Sequence, residues 1–174
     1  MGIRFRNYKD CDLECMTSMW NEILEDGMSF PGTELYESSQ FQKMLDEQTR
    51  VVCMEKDGEL AGYYILHPNN IGRCSHIANA SYVIKKTMRG KHLGKFLVQN
   101  SIEEAERLTF RGLQFNAVVS INKSALIIYE QIGFQKIGII PGGFLLPDGS
   151  YSDMYILFMS LTDRKSTRLN SSHA

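Results

Sequence analysis

Several features are scarce in this sequence, and each scarcity excludes a class of protein. No run approaches the roughly 18 consecutive apolar residues of a membrane-spanning helix, because a charged or strongly polar residue interrupts every one. The 19 Lys and Arg residues balance 20 Asp and Glu residues, so no overall charge attracts nucleic acid or an anionic membrane. No secretory leader follows Met1. We therefore expect a reduced, cytoplasmic protein with no membrane partner and no nucleic-acid partner.

Sets of metal ligands are also lacking. The chain has four cysteines and four histidines. Cys11 and Cys15 are one helical turn apart, but no second pair and no nearby histidine completes a set of four ligands. We expect no metal site.

The elements that the sequence does contain indicate one domain. A length of 174 residues with 43% hydrophobic content is typical of a single globular unit. Periodicity predicts a strand, two helices, three strands, a helix, a strand, a short helix and two strands. Hairpins on both sides of one strand–helix–strand unit predict an α+β, or mixed α/β, domain over residues 1–161. The polar remainder, 162–174, is either disordered or a remnant of cloning or sequence assembly.

The most informative segment lies between the predicted fourth strand, 74–84, and an amphipathic helix. It reads RGKHLGK and comprises Arg89, Gly90, Lys91, His92, Leu93, Gly94 and Lys95. The first N–H groups of a helix lie at the positive end of its dipole and bind phosphate, and Arg and Lys side chains add charge-assisted hydrogen bonds. This segment predicts a local phosphate site on a protein with almost no net charge.

Spacing excludes the two commonest phosphate loops. A nucleotide P-loop reads GxxxxGK and then Ser or Thr, whereas Gly90 and Gly94 are one residue too close together and Phe96 occupies the hydroxyl position. The glycines do not match the GxGxxG fingerprint of NAD-binding proteins either.

RGKHLG resembles instead the pyrophosphate loop of the GCN5-related N-acetyltransferase family, which is Gln or Arg, two residues, Gly, one residue, and Gly or Ala. Arg89 and Gly94 match the ends of this pattern, but His92 replaces its first glycine. Either the backbone approach is looser there or the imidazole itself contacts a phosphate. The segment NKSALIIYEQIGF, 122–134, resembles the second signature of the same family in order and spacing.

The resemblance implies a central mixed, mostly antiparallel sheet, splayed between strands 4 and 5 and flanked by about four helices. Acetyl-CoA would lie in the gap as acetyl donor, with its pantetheine arm paired to strand 4 like an added strand. The implied cofactor-binding residues are Tyr82, Val83, Ile84, Arg89, Gly90, Lys91, His92, Leu93, Gly94, Lys95, Asn122 and Tyr129.

Transfer of an acetyl group from a thioester to an amine has three requirements: a neutral amine, hydrogen-bond donors for the oxyanion, and a proton for the leaving thiolate. In this family the tyrosine of the second signature meets the thiolate, which implies Tyr129 here, although a core aromatic is the alternative. The oxyanion donor would be a main-chain N–H near Val83. No Asp or Glu lies in residues 74–84. The base would therefore be water held by Asn79, Asn116 or a backbone carbonyl, with His76 as an alternative.

A narrower resemblance concerns the acceptor. HIANASYVI, QFNAVVSIN and IGIIPGGF are similar to segments of the fungal L-azetidine-2-carboxylate acetyltransferases and their bacterial relatives, which acetylate toxic proline analogues. This implies substrate-binding roles for Asn79 and Asn116 and catalytic roles for Asn79 and Asn122. The structural alternatives are that Asn122 caps a helix and that the other two asparagines satisfy backbone groups between the strands.

The sequence therefore predicts transfer of an acetyl group from acetyl-CoA to a small amine, such as a proline analogue or another amino acid. No cysteine lies in the cleft motifs, which favours direct attack in a ternary complex over an acyl-enzyme. Two alternatives stay open: acetylation of a protein N-terminus, lysine or polyamine, and a non-catalytic acyl-CoA sensor. A homodimer is implied by the resemblance.

Overall fold

The computed structural model describes residues 2–90 and 92–162, so Lys91 and most of the predicted tail, 163–174, lie outside the described residues. One sheet has the strand order β1-β2-β3-β4-β5-β7-β6. The strands are β1 (Ile3–Asn7), β2 (Arg50–Lys56), β3 (Glu59–Pro68), β4 (Ile77–Ile84), β5 (Gly112–Val119), β6 (Gln135–Leu145) and β7 (Tyr151–Ser160). The α-helices are α1 (Leu13–Asp26), α2 (Ser38–Asp46), α3 (Leu93–Arg107) and α4 (Lys123–Ile132). The predicted mixed α/β single-domain fold is confirmed.

Helices cover both faces of the sheet. Because side chains alternate along a strand, Val83 and Ala80 of β4 point to opposite faces. Val83 packs with residues of α1 and α2, such as Met16 and Phe41. Ala80 packs with residues of α3, such as Leu97. The sheet therefore has an α1/α2 face and an α3/α4 face, each with its own apolar core.

The two central strands separate soon after they meet. β4 and β5 are parallel and pair only at Ile77 with Gly112 and at Ala78 with Leu113. Farther along, β5 carries a bulge: two residues, Asn116 and Ala117, lie opposite one residue of β7. A bulge bends its strand and redirects side chains, and bulges are common beside active sites. The expected splay between strands 4 and 5 is confirmed.

Two strand boundaries differ from the prediction. β4 begins at Ile77 rather than at residue 74, because Gly72–Cys74 form a 3-10 turn. β6 continues to Leu145 through Pro141, Gly142 and Gly143, although these residue types predict a loop that joins two strands. β6 is an edge strand, and Pro141 lies in the interruption of the β6–β7 ladder between Ile140 and Phe144, where a residue without an N–H is tolerated.

Two findings concern membrane-spanning helices and metal sites, neither of which the sequence predicts. Across residues 2–90 and 92–162, the helices are too short or too polar to cross a membrane. Within the same ranges, no group of three or more His, Cys, Asp and Glu residues is arranged to hold a metal ion.

Candidate active site

The register between β3 and β4 determines which main-chain groups of β4 point into the gap between β4 and β5. Asn69 donates its N–H to the Ile77 carbonyl at 2.8 Å, and Lys85 donates its N–H to the Ala61 carbonyl at 2.8 Å. In an antiparallel pair the bonded positions alternate with positions whose N–H and C=O groups point away. The odd-numbered residues of β4 therefore bond to β3. Past the last pair with β5, the groups that point into the gap belong to Ala80, Tyr82 and Ile84.

An independent contact agrees with this alternation. The carbonyl of His76, an even-numbered residue, accepts the Arg111 N–H at 2.8 Å on the β5 side. Val83 pairs with Tyr63, and its N–H therefore points to β3. The N–H groups that flank Val83, those of Tyr82 and Ile84, are the ones available to a ligand in the gap. His76 itself is exposed and lies before β4, at the closed end of the gap.

The loop before α3 has a backbone suited to phosphate. His92 is the N-cap of α3 and has a left-handed φ of 60°. This is the conformation that glycine adopts most readily, and the family pattern has glycine at this position. Leu93 is buried and anchors the first turn, while a Cβ on Gly94 would lie 3.3 Å from the Ile128 side chain of α4. The loop thus keeps a glycine-like path in spite of the histidine.

The cations of this loop are unequally placed. The Arg89 Nε donates to the Ile84 carbonyl at 3.4 Å, and its Nη1 lies 3.9 Å from an Asp26 carboxylate oxygen at the end of α1. Arg89 therefore sits directly beyond the end of β4. Lys95 is exposed and lines a groove of about 370 Å³ between α3 and α4.

Tyr129 of α4 belongs to an aromatic cluster on the α3/α4 face. Its ring lies 4.7 Å from that of Phe115, 5.6 Å from that of Phe134 and 6.4 Å from that of Tyr82, measured between centroids. Burial raises the pKa of Tyr129 above its usual value. Its hydroxyl forms no hydrogen bond with any other residue that the structure describes. The cluster therefore places beside the gap between β4 and β5 a protonated hydroxyl that has no hydrogen-bond partner among the described residues.

The Tyr82 hydroxyl, in contrast, has a hydrogen-bond partner. Its hydroxyl oxygen lies 2.6 Å from the Ser101 Oγ, which in turn donates to the Val98 carbonyl at 2.7 Å. A serine hydroxyl has one proton, so Tyr82 is the donor in the first of these bonds. The Tyr82 side chain is therefore structural, whereas its main chain points into the gap.

Asn79 and Asn116 meet through a residue that sequence reasoning missed. Asn69, just after β3, accepts hydrogen bonds with its Oδ1 from the Asn79 Nδ2 at 3.1 Å and the Asn116 Nδ2 at 2.6 Å. The sequence around Asn69 reads as a turn, and only the register of β3 brings it beside the other two. The structure thus joins the two predicted substrate residues in one cluster on the α1/α2 face.

Asn122 is at the predicted N-cap position of α4, but its side chain makes no capping hydrogen bond. Its Nδ2 instead donates to the Met28 carbonyl at 3.3 Å. Met28 follows Gly27, whose φ of 64° ends α1 as the sequence predicts. The contact joins the start of α4 to the α1–α2 loop. The expectation that the Asn122 side chain caps its helix is therefore wrong.

A splayed pair of parallel strands, a phosphate-compatible helix start and a tyrosine hydroxyl without a partner among the described residues are together typical of an acyltransferase that uses acetyl-CoA. The profile of the acetyltransferase (GNAT) family matches residues 16–134, and the chain belongs to this family. The predicted enzyme class, an N-acetyltransferase dependent on acetyl-CoA, is confirmed.

Several relatives resemble the chain over most of its length. N-acetyltransferase aca1 of Schizosaccharomyces pombe is 27% identical over 87% of this chain and 82% of its own, in keeping with the narrower resemblance. Putative phosphinothricin acetyltransferase YwnH of Bacillus subtilis is 26% identical over 93% of this chain and 100% of its own. A GCN5-related N-acetyltransferase from Kribbella flavida superposes with a TM-score of 0.84 at 27% identity, covering 91% of this chain and 97% of that one.

Proposed function

We propose that the protein transfers the acetyl group of acetyl-CoA to a small amine, such as a proline analogue or another amino acid, by direct attack in a ternary complex. The observation that carries the proposal is the Tyr129 hydroxyl, which has no partner among the described residues and lies beside the splayed strands. A proton donor at this position suits a thiolate leaving group.

The residues fit acetyl-CoA along one continuous path. The gap-facing main-chain groups of Tyr82 and Ile84 suit the amides of an extended pantetheine arm, since such an arm pairs as an added strand would. The N–H groups of the first turn of α3 suit the pyrophosphate, and Arg89 adds a charge-assisted hydrogen bond. Lys91 and Lys95 add positive charge.

The amine and the proton donor approach from opposite faces of the sheet. Tyr129 lies on the α3/α4 face, and the asparagine cluster lies on the α1/α2 face. Acetyl-CoA supplies the acetyl group as a thioester, and transfer forms an N–C bond while the C–S bond breaks. Tyr129 gives its proton to the sulfur. The amine proton passes to water held by Asn79, Asn116 or a backbone carbonyl, and main-chain N–H groups of β4 stabilise the negative oxygen.

The chain's likeness to a putative phosphinothricin acetyltransferase supports a small acceptor. Protein N-termini, lysine and polyamines are the alternatives, together with a sensor that binds acetyl-CoA without turnover.

The test is chromatographic quantification of CoA released from acetyl-CoA, because thiol-reactive dyes also react with the four cysteines. The acceptor panel contains azetidine-2-carboxylate, proline analogues, free amino acids, polyamines and peptide N-termini, and Tyr129→Phe is the matched inactive variant. We expect release with a small amino acid or analogue. Release only with peptides or polyamines contradicts the proposed acceptor, and tight acetyl-CoA binding without release indicates the sensor.

A further inference from the structure

The asparagine cluster consists of Asn69, Asn79 and Asn116, and the main chain of Asn69 is held in place by hydrogen bonding to β4. Asn69 follows the last residue of β3, and its N–H donates to the Ile77 carbonyl of β4 at 2.8 Å. Its main chain therefore extends the β3–β4 ladder by one pair. A side chain on such a backbone starts from a defined point and is only partly exposed.

This side chain joins the two strands where their own pairing stops. The last β4–β5 pair is Ala78 with Leu113, and Asn79 is the next residue of β4. The Asn69 Oδ1 accepts from Asn79 at 3.1 Å and from Asn116 at 2.6 Å. One amide oxygen thus bridges the start of the gap, and it uses both of its lone pairs to do so.

A fourth amide is consistent with the direction of these hydrogen bonds. The Gln114 Nε2 donates to the Asn116 Oδ1 at 2.9 Å, which leaves the Asn116 Nδ2 as the donor to Asn69. With its oxygen saturated, Asn69 presents only its two N–H groups. Within residues 2–90 and 92–162, no partner occupies the Asn69 Nδ2 or the Asn79 Oδ1. Among the three asparagines, the Asn69 Nδ2 and the Asn79 Oδ1 are therefore the amide groups that make no hydrogen bond to a described residue, and none of the three side chains is charged.

The cluster also lies at the level of the reaction. Asn116 directly follows Phe115, whose ring is 4.7 Å from that of Tyr129. Because successive residues of a strand point to opposite faces, the cluster and the Tyr129 ring flank the same stretch of β5. A molecule held by the cluster therefore lies across β5 from the Tyr129 ring.

We propose that Asn69 is a specificity-determining residue that binds the carboxylate of an amino-acid acceptor, while the Asn79 Oδ1 accepts a hydrogen bond from its amine. This inference rests on the proposed function and narrows its substrate to small amines that carry a carboxylate. The two N–H groups of Asn69 suit carboxylate oxygens, and an amide acceptor leaves the amine neutral and able to attack.

The decisive variant is Asn69→Asp. An aspartate keeps the oxygen that accepts from Asn79 and Asn116, but it removes both donor hydrogens and adds a negative charge. We expect the KM for L-azetidine-2-carboxylate to rise by roughly 10- to 100-fold, the loss of one hydrogen bond to a charged group. The KM for L-azetidine-2-carboxamide, which lacks the negative charge, and the KM for acetyl-CoA should stay close to their wild-type values.

Asn70→Asp is the matched control. Asn70 is exposed, and its Oδ1 accepts the Ile71 N–H at 2.7 Å, a bond that aspartate retains. The variant adds the same charge one residue away, and no change in either KM is expected. If Asn69→Asp raises the KM for the acid and the amide equally, or raises that for acetyl-CoA, Asn69 has only a structural role and the inference is wrong.

Binding separates this inference from the proposed function. Calorimetry of L-azetidine-2-carboxylate with the protein–CoA complex needs no turnover, and the wild type should bind while Asn69→Asp binds at least tenfold more weakly, by the same loss of one hydrogen bond. A wild type that acetylates amines but does not bind the acid overturns the inference alone. A wild type that binds the acid but acetylates no amine refutes the proposed function and leaves the carboxylate site standing.

Discussion

The rings of Tyr82 and Tyr129 lie 6.4 Å apart, measured between centroids, but their hydroxyl groups differ in hydrogen bonding. Tyr82 donates its proton to Ser101 at 2.6 Å, whereas Tyr129 has no hydrogen-bond partner among the described residues. Burial raises the pKa of both side chains, so both stay protonated at neutral pH. Of the two, only Tyr129 has a hydroxyl proton that no described residue accepts, which suits its proposed role as proton donor to the sulfur.

The first prediction is that Tyr129→Phe lowers kcat by roughly 100- to 10,000-fold, the usual contribution of a positioned general acid. The ring and its contacts with Phe115 remain, so the affinity for acetyl-CoA should change little. Turnover from CoA release and affinity from calorimetry measure the two effects separately.

Tyr82→Phe is the paired control. It deletes the hydrogen bond to Ser101 and should lower the free energy of unfolding by about 1 kcal/mol, with kcat nearly unchanged. Urea denaturation measures the first effect. Equal losses of kcat in the two variants would mean that the aromatic cluster, and not the Tyr129 proton, supports turnover.

The second prediction concerns Arg89. Arg89→Ala should weaken acetyl-CoA binding by roughly 10- to 100-fold, since it removes one hydrogen bond to a charged group. Lys86→Ala removes an exposed charge three residues earlier and should have little effect. Calorimetric titration with acetyl-CoA compares both variants, and similar affinities would place the pyrophosphate away from Arg89.

Much of the fold follows from local sequence. The alternation of 50–66 and the Asp57-Gly58 turn predict the β2–β3 hairpin, and Gly27 and Gly133 predict the ends of α1 and α4. These signals are local because φ preferences and side-chain periodicity depend on a few neighbouring residues. The loop before α3 could be predicted as a phosphate site from its own residues, whereas the splay and the assignment of that loop to acetyl-CoA came from resemblance to a family.

Pairing between distant residues could not be predicted in this way. Asn69 reads as part of a turn, and its bonds to Asn79 and Asn116 depend on the β3–β4 register and on the β5 bulge. The Asn122 side chain was expected to cap its helix, but the α1–α2 loop brings the Met28 carbonyl within 3.3 Å. Tertiary contacts decide such side chains, since local preferences leave several partners open.

The third prediction tests the two roles left open for His92. Glycine adopts the left-handed φ of 60° without strain, so His92→Gly should keep the affinity for acetyl-CoA. Valine is β-branched and resists this conformation, so His92→Val should weaken binding by about tenfold, from a backbone cost of about 1–2 kcal/mol. Binding of acetyl-CoA by calorimetry decides. A loss in the glycine variant shows instead that the imidazole contacts a phosphate.

The fourth prediction is a homodimer. The outermost strand β6 exposes isoleucines along its length, with 57% exposure of Ile137 and 54% of Ile139, and an apolar edge strand is a favoured pairing surface. Sedimentation velocity should show a dimer, and Ile139→Lys should shift it toward monomer. Leu35→Lys, on the α1–α2 loop at 51% exposure, is the control and should remain dimeric. A wild type that sediments as a monomer contradicts the prediction.

The last prediction concerns acid stability and depends on Arg6. Its guanidinium contacts both carboxylate oxygens of Asp12, at 2.7 and 3.0 Å, and a Glu55 oxygen at 2.6 Å. The Arg6 hydrogen bonds lower the pKa of Asp12 in the folded state. A lowered folded pKa means that the unfolded chain binds the proton first, so the ion pair stabilises the fold above about pH 4 and loses this effect as the pH falls through the folded pKa.

Asp12→Asn should therefore lower the free energy of unfolding by about 1–3 kcal/mol at pH 7 and by less at pH 3. Urea denaturation at both values measures the difference, with Asp10→Asn, an exposed aspartate of the same turn, as control. A cost for Asp12→Asn that is the same at pH 3 and pH 7 would assign the stabilisation to packing, because packing does not titrate.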